Sequence, residues 1–310
     1  MNRQSGVDID LGNRCSSNAY NWARKTFINR QQKPGQLLQG LDGAFSNVMQ
    51  FNDVRLGISS DGIGTKIELA ERTGIYHTLG HDLVAMTADD LAANGFEPTS
   101  LSNILDVDIL DYEIVDQLMQ GLHAAAGLAG LAVTGGEIAE LGSRIGGYGS
   151  RMHFNWCSTA LGYLPDRLVK PVDGSLIREG DMIISLASRG FRSNGFSLVR
   201  RIMTDNFGPD WHLVLYDNAR TWGEVLLTPS LIYCTLINTL LTQELNLHGI
   251  VHITGGGIPD NLARVLKQSG WGAVIDKPCP ALAFMLQVQT MGRIADQQAY
   301  RLWNMGNGML

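Results

Sequence analysis

Between Ser59 and Leu91 a largely apolar stretch carries several carboxylates, a lysine and four glycines, two of them in the Asp61–Lys66 run. The run Ser59-Ser60-Asp61-Gly62-Ile63-Gly64-Thr65-Lys66 is followed by Asp82-Leu83-Val84-Ala85-Met86-Thr87-Ala88-Asp89-Asp90-Leu91. Carboxylates on apolar elements are costly unless a cation compensates them. Hydrated Mg²⁺ favours one or two carboxylates together with phosphate oxygens, so a site for ATP and Mg²⁺ is the expectation here. The Asp61–Lys66 run is not a Walker A loop, because Thr65 precedes Lys66, and it does not match a dinucleotide fingerprint. Its weight comes from the next element. Asp82 and Asp89 are seven residues apart, two helical turns, which puts them on one face about 10 Å apart along the axis. Asp82 has an alternative as an N-terminal cap. Asp90, on a helix otherwise made of Ala, Leu, Val and Met, has none, and binding of metal or nucleotide is its expected role.

Three further groups could do chemistry. Gly135-Gly136-Glu137, with Glu140 beyond it, ends an apolar run and occupies the kind of strand end where α/β folds place ligands. A tight turn followed by a helix-start glutamate is the alternative. Thr254-Gly255-Gly256-Gly257 stands between a strand and a helix, where free amides and the helix dipole suit a substrate phosphate. Ser193-Asn194-Gly195 is a second candidate of that type, although Ser-Asn-Gly also makes an ordinary turn and cap. The sequence offers no Ser/His/Asp or Cys/His arrangement for nucleophilic catalysis.

The elements that must hold these groups mix α and β throughout. Residues 54–60 read as a strand running into the Asp61 loop, and 80–95 as a helix closed by Asn94-Gly95. A helix over 111–130, a strand over 131–135 and a strand over 154–162 follow. The turn-rich stretch 163–180 marks the expected boundary between units 1–165 and 166–310. Beyond it come a strand Met182–Leu186 and helices near 195–205, 226–244 and 259–268, then a strand over 273–276. At 310 residues the chain exceeds one typical core. A net charge of −6 without a dense Lys/Arg run argues against a nucleic-acid surface. No apolar stretch reaches membrane-spanning length, and the four cysteines (Cys15, Cys157, Cys234, Cys279) lack metal-ligand spacing, so a cytoplasmic protein with isolated thiols is expected.

Taken in order, the motifs resemble the aminoimidazole ribonucleotide synthetase family, the cyclo-ligases of purine synthesis. The resemblance runs from Gly6-Val7-Asp8-Ile9-Asp10 and Asn13 through Asp61–Lys66, Asp82–Met86, Asp90-Leu91, Gly95, Glu97-Pro98 and Gly135–Glu137. It continues through Ser193–Gly195, His252, Thr254–Gly257, and Asn304, Gly306 and Gly308-Met309. It implies a two-domain α/β (α+β) fold, with an N-terminal mixed sheet that pairs in a homodimer and an α/β C-terminal domain. The implied activity uses ATP and Mg²⁺ to phosphorylate an amide oxygen of formylglycinamidine ribonucleotide. An internal nitrogen then closes the imidazole ring as phosphate leaves. By the same resemblance Asp61, Asp90 and Asp82 hold Mg²⁺ or ATP phosphates. Lys66 neutralises charge, Gly62, Gly64, Thr65, Gly135, Gly136 and Glu137 line the ATP side, and Arg192 joins the catalytic group. Ser193, Asn194, Gly195, Thr254, Gly255, Gly256 and Gly257 face the ribonucleotide.

The chain also departs from the pattern the resemblance implies. Asp89 stands where Asn is usual, Asn103 and Asn155 where Asp is, and Arg192 where His is. Ile138 replaces a Thr, and Asp108-Ile109-Leu110-Asp111 replaces a Gly-Lys-Leu-Asp run. Relatives continue beyond Met309 for a strand, a helix and a strand; a divergent ending and a shortened chain both fit. A related ATP-dependent enzyme for another small molecule, or a nucleotide-binding paralogue without turnover, is the alternative these changes keep open.

Overall fold

The computed structural model describes residues 9–38, 44–243 and 245–310; the Gly6-Val7-Asp8 part of the first motif lies outside them. The N-terminal half is built on a six-stranded sheet in the order β1-β2-β3-β6-β4-β5. Its strands are β1 (Gln36–Leu37), β2 (Asn47–Phe51), β3 (Val54–Gly62), β4 (Glu97–Val107), β5 (Ala132–Glu140) and β6 (Phe154–Tyr163). Only β4 and β5 run parallel; the other pairs are antiparallel. Alternation sets the faces of the sheet. On β4, Leu101, Asn103, Leu105 and Val107 are buried while Ser102 and Ile104 are exposed, and β6 alternates in the same way.

The N-terminal half also contains α1 (Ile9–Lys25), α2 (Ile67–Thr73), α3 (Leu79–Ala93) and α4 (Tyr112–Ala129). Helix α3 is buried along nearly its whole length. It packs on β3, β4 and β6 and against α4, so a helix apolar all round is what the position demands. Asn94 closes it and Gly95 follows at φ +82°. Helices α3 and α4 approach very closely at two glycines: a Cβ on Gly80 would meet the backbone carbon of Gly121 at 2.2 Å, and one on Gly121 would meet the His77 carbonyl at 1.9 Å. Helix α4 is capped by Asp111, whose carboxylate accepts from the Glu113 and Ile114 amides.

The C-terminal half holds β7 (Leu186–Ala187), α5 (Phe196–Phe207), α6 (Trp222–Leu226), α7 (Cys234–Thr242), α8 (Gly257–Leu266), α9 (Ala283–Met291), α10 (Asp296–Leu302) and β8 (Asn307–Met309). One apolar core runs continuously from α3 and α4 into these helices, including Phe191, Trp211, Trp222, Met285 and Trp303.

Several expected elements take another form. The helix expected over 226–244 is broken into α6 and α7 around Pro229, which cannot continue a helix. The strands expected at Met182–Leu186 and 273–276 do not form. Met182 (87% exposed) and Val274 (88% exposed) have no neighbouring strand to bond with, and only Leu186–Ala187 pairs, with β8. The strand expected over 131–135 extends to Glu140, so Gly135-Gly136-Glu137 lies within β5 and not in a turn at its end.

Candidate active site

Helix α3 presents three carboxylates, and each is bound by a different part of the chain. In its first turn Asp82 is fully buried and is not a cap; Thr78 holds that position. Its carboxylate lies 2.8 Å from Lys66 Nζ and accepts from the Ser230 hydroxyl (2.5 Å) and amide (3.2 Å). The Lys66 ammonium, equally buried, also donates to the Thr228 carbonyl at 2.7 Å. Burial pushes the Lys66 amine below its ordinary value, and the Asp82 charge opposes that.

Two turns on, Asp89 is also fully buried. One carboxylate oxygen accepts from the Tyr233 and Cys234 amides, at 2.8 and 2.9 Å, at the start of α7. The other lies 2.8 Å from Arg192 Nη2. Arg192 is 1% exposed, donates to the Gly308 carbonyl at 3.2 Å and lies over the Tyr233 ring at 5.0 Å. Lys66 and Arg192, both expected among the catalytic groups, therefore have their charges engaged inside the fold and do not reach an open surface. Desolvation, reinforced by Asp89, pushes the Cys234 thiol up to about 12, which removes it as a nucleophile.

Asp90 is different. It keeps 16% of its side chain exposed, accepts from Ser59 Oγ at 3.1 Å and contacts His252 Nδ1 at 2.7 Å. Desolvation pushes its carboxyl up to about 7, although Ser59, Arg264 and Arg192 oppose the rise. The fully buried His252 is held down to about 3 by desolvation and by the nearby arginines, so its imidazole is neutral near pH 7. Its Nε2 is buried without a hydrogen-bond partner. Asp61, at the end of β3, is solvent-accessible. Protein atoms still crowd its carboxyl, and this desolvation, with the charge of Asp90, pushes it up to about 6 despite the Gly62 amide it accepts from.

The strand register carries this level across the sheet. Asp61 is opposite Ser158, Ser158 opposite Asn103, and Asn103 opposite Gly136. Gly136 thus shares a row with Asp61, three strand spacings or about 14 Å away, and Glu137 shares the next row with Gly62. Gly136 has a packing reason as well, since a Cβ there would lie 2.3 Å from the Asn103 carbonyl. Asn103 itself accepts from the Trp156 indole at 2.9 Å and donates to the Gly135 carbonyl at 3.3 Å. An amide can do both, whereas an ionised carboxylate could only accept. Asn155 and Ile138 are exposed on β6 and β5, and Ile109 is exposed in the loop after β4.

Three loops converge near Asp61. Gly64, at φ +68°, approaches the Ser193 carbonyl, and Thr65 Oγ1 lies 3.2 Å from Ser197 Oγ on α5. A Cβ on Gly255 would lie 3.4 Å from Asn194 Oδ1, so the Ser193–Gly195 and Thr254–Gly257 segments are neighbours. Gly195 and Gly256 sit in left-handed conformations at the N-caps of α5 and α8. Gly257 is required by packing, because a Cβ there would meet the Tyr300 carbonyl at 2.0 Å. Gly255 has no such packing reason. The loops that lead into the N-termini of α5 and α8 are therefore neighbours, and helix N-termini suit phosphate groups. Ser59 and His252 both stand in the quoted motifs, but the sequence gives no sign that they meet at Asp90; a histidine between Val251 and Ile253, just before a glycine triplet, is the available signal.

A mixed sheet with a buried acidic helix, facing glycine-capped helices across converging loops, defines a two-domain α/β protein. Residues 43–159 match the N-terminal domain, and residues 178–310 the C-terminal domain, of the AIR synthase related proteins. The chain belongs to that family. Similar curated relatives carry the name phosphoribosylformylglycinamidine cyclo-ligase. That of Thermococcus kodakarensis is 34% identical over 307 residues, covering 99% of this chain and 86% of the relative. That of Magnetococcus marinus is 35% identical over 312 residues, covering 99% and 84%. Among solved structures, the thiamine-monophosphate kinase of Stenotrophomonas maltophilia has a TM-score of 0.59 at 16% identity, over 92% of this chain and 83% of that one. That likeness is one of fold.

Proposed function

We infer that the chain is an ATP-dependent cyclo-ligase that converts formylglycinamidine ribonucleotide to aminoimidazole ribonucleotide in purine synthesis, releasing ADP and phosphate. The observation that carries this reading is that relatives bearing the cyclo-ligase name align over 99% of the chain. In the reaction the substrate amide oxygen takes the γ-phosphoryl group, ADP leaves, a substrate nitrogen attacks the activated carbon, and phosphate departs as the ring closes. No covalent intermediate on the protein is required, and the fold offers positioning and electrostatics instead.

Asp61 and Asp90 fit Mg²⁺. Each is a carboxyl whose charged form is disfavoured chiefly by desolvation, and Mg²⁺ needs only one or two carboxylates when phosphate oxygens complete its shell. Among the described residues no group of three or more His, Cys, Asp or Glu gathers closely enough to hold a metal alone. Bound there, the ion would neutralise charge on the transferring phosphoryl group. Gly62, Gly64, Thr65, Gly135, Gly136 and Glu137 form the ATP side. Asn194, Ser193, Gly195 and Thr254–Gly257 form the ribonucleotide side, with their backbone amides toward its phosphate. Lys66, Asp82 and Arg192 act from inside the fold, holding the α3 carboxylates in place.

The same reading includes units 1–165 and 166–310, whose boundary falls between the two family matches. It also includes a homodimer. Edge strand β5 is exposed along its length, with Val133 39% and Ile138 45% exposed, and Ile104 on the neighbouring strand is 47% exposed. An unpaired edge of this kind needs covering. No helix among the described residues is long and apolar enough to cross a membrane, and the four cysteines are all free, which supports a cytoplasmic location. The test mixes the protein with formylglycinamidine ribonucleotide and Mg-ATP and follows aminoimidazole and ADP together. Equal, substrate-dependent amounts of both are expected. Nucleotide binding with neither product would overturn the assignment in favour of a non-catalytic paralogue.

A further inference from the structure

Asp89 and Asp90 are adjacent, and each holds the residue that leads into one of the two substrate loops. Asp90 contacts His252, two residues before Thr254. Asp89 pairs with Arg192, the residue immediately before Ser193. The Arg192 backbone is left-handed, at φ +61°, a conformation that disfavours a side chain of this size. It is held there from three sides, by the Asp89 carboxylate, the Gly308 carbonyl and the Tyr233 ring. Arg192 Nε is buried and makes no hydrogen bond. Burying a guanidinium with an unmet donor is costly, and a merely structural side chain could fill this space without charge.

We propose that Arg192 is a positioning residue for the ribonucleotide: its ion pair with Asp89 fixes the Ser193-Asn194-Gly195 loop at a set distance from the Thr254–Gly257 loop. The adjacent carboxylates then act as a gauge, because the separation of the two loops is set by one dipeptide of α3. Asn194 Oδ1 already lies against the Gly255 position, so a small shift of the Arg192 backbone moves it directly. The substrate role rests on the cyclo-ligase reading; the clamp itself does not.

Two measurements keep these separable. Hydrogen–deuterium exchange over residues 188–199 tests the clamp whether or not the protein turns over. In Asp89→Asn and in Arg192→Gln, exchange there is expected to quicken about tenfold or more, while the α4 amides stay protected. Unchanged exchange over 188–199 would overturn the clamp. Steady-state kinetics test its purpose. In both single variants the KM for formylglycinamidine ribonucleotide is expected to rise about tenfold, with the KM for ATP moving less than about twofold. The neutral double variant Asp89→Asn/Arg192→Gln is expected to recover part of that loss, since neither charge is left unpaired. A merely structural pair would lower the active fraction and leave both KM values alone, and that result would overturn the positioning role. Should the wild-type protein form no aminoimidazole product, the reaction assignment fails while the exchange result still decides the clamp.

Discussion

Lys66 Nζ lies 2.8 Å from Asp82 Oδ2 with neither side chain exposed, and the same ammonium reaches across to the Thr228 carbonyl at 2.7 Å. One buried ion pair thereby joins the loop after β3, the first turn of α3 and the segment between α6 and α7. Removing one partner leaves the other charge stranded. Lys66→Met is therefore expected to cost about 3–5 kcal/mol of stability, whereas Lys66→Met/Asp82→Asn costs less than the single change. Urea unfolding of the three proteins decides it; equal losses in the single and double variants would show that packing, not charge, is what the pair supplies.

Asp90→Asn separates catalysis from folding. The Asp90 carboxyl is pushed up to about 7 because its charged form is poorly solvated, so a neutral amide suits the site at least as well. Turnover of Mg-ATP is expected to fall by about 100-fold or more, from loss of a charge that would face the metal and phosphates, with Tm within a few degrees of wild type. Unchanged turnover would remove Asp90 from the site.

Acid and base conditions act on this site in a defined direction. The Asp61 and Asp90 carboxyls sit near 6 and 7, above the ordinary 3.8, so the folded protein holds their protons more tightly than the unfolded chain. The stability they contribute is present below about pH 4 and is lost as pH rises through 6 to 7. A bound cation reverses the preference. Mg-nucleotide is therefore expected to raise Tm more at pH 8 than at pH 6, and to release protons on binding near pH 6.5. Calorimetry in two buffers of different ionisation enthalpy measures the release, and proton uptake would contradict the assignment.

Helix α3 was legible in the sequence because its apolar run and its Asn94-Gly95 ending are local signals. Its carboxylates were legible only as an anomaly. Asp82 has Lys66 sixteen residues before it, but its other partner, Ser230, and the Arg192 that pairs with Asp89 lie more than a hundred residues away, and no periodicity links such positions. The same holds for His252 and Asp90. The edge position of β5 was equally hidden, since Gly135-Gly136 suits a turn as readily as a close strand–strand approach, and only the register with Asn103 decides between them. Arg192 and Asp89 each looked like an isolated departure from the family pattern; side by side at 2.8 Å they are a matched pair of charges.

The dimer is expected to depend on the open edge of the N-terminal sheet. Wild-type protein should run as a dimer by light scattering at micromolar concentration. Val133→Lys/Ile138→Lys should run as a monomer, because lysines on an edge strand oppose strand pairing. A wild-type monomer, or a variant that still dimerises, would move the interface elsewhere.

The three carboxylates of α3 have a consequence for inheritance. Every one of them is neutralised or bonded by residues from the other half of the chain: Ser230 for Asp82, Arg192 and Tyr233 for Asp89, and His252 for Asp90. A nascent chain that has emerged only as far as β6 already holds Lys66 for Asp82 and Ser59 for Asp90, but the partners of Asp89 arrive only with the later segments. For the same reason the halves cannot be exchanged freely between relatives. A recombinant that took one half from a homologue would have to bring matching partners for all three acids, so mutation is constrained to proceed in pairs across the interface.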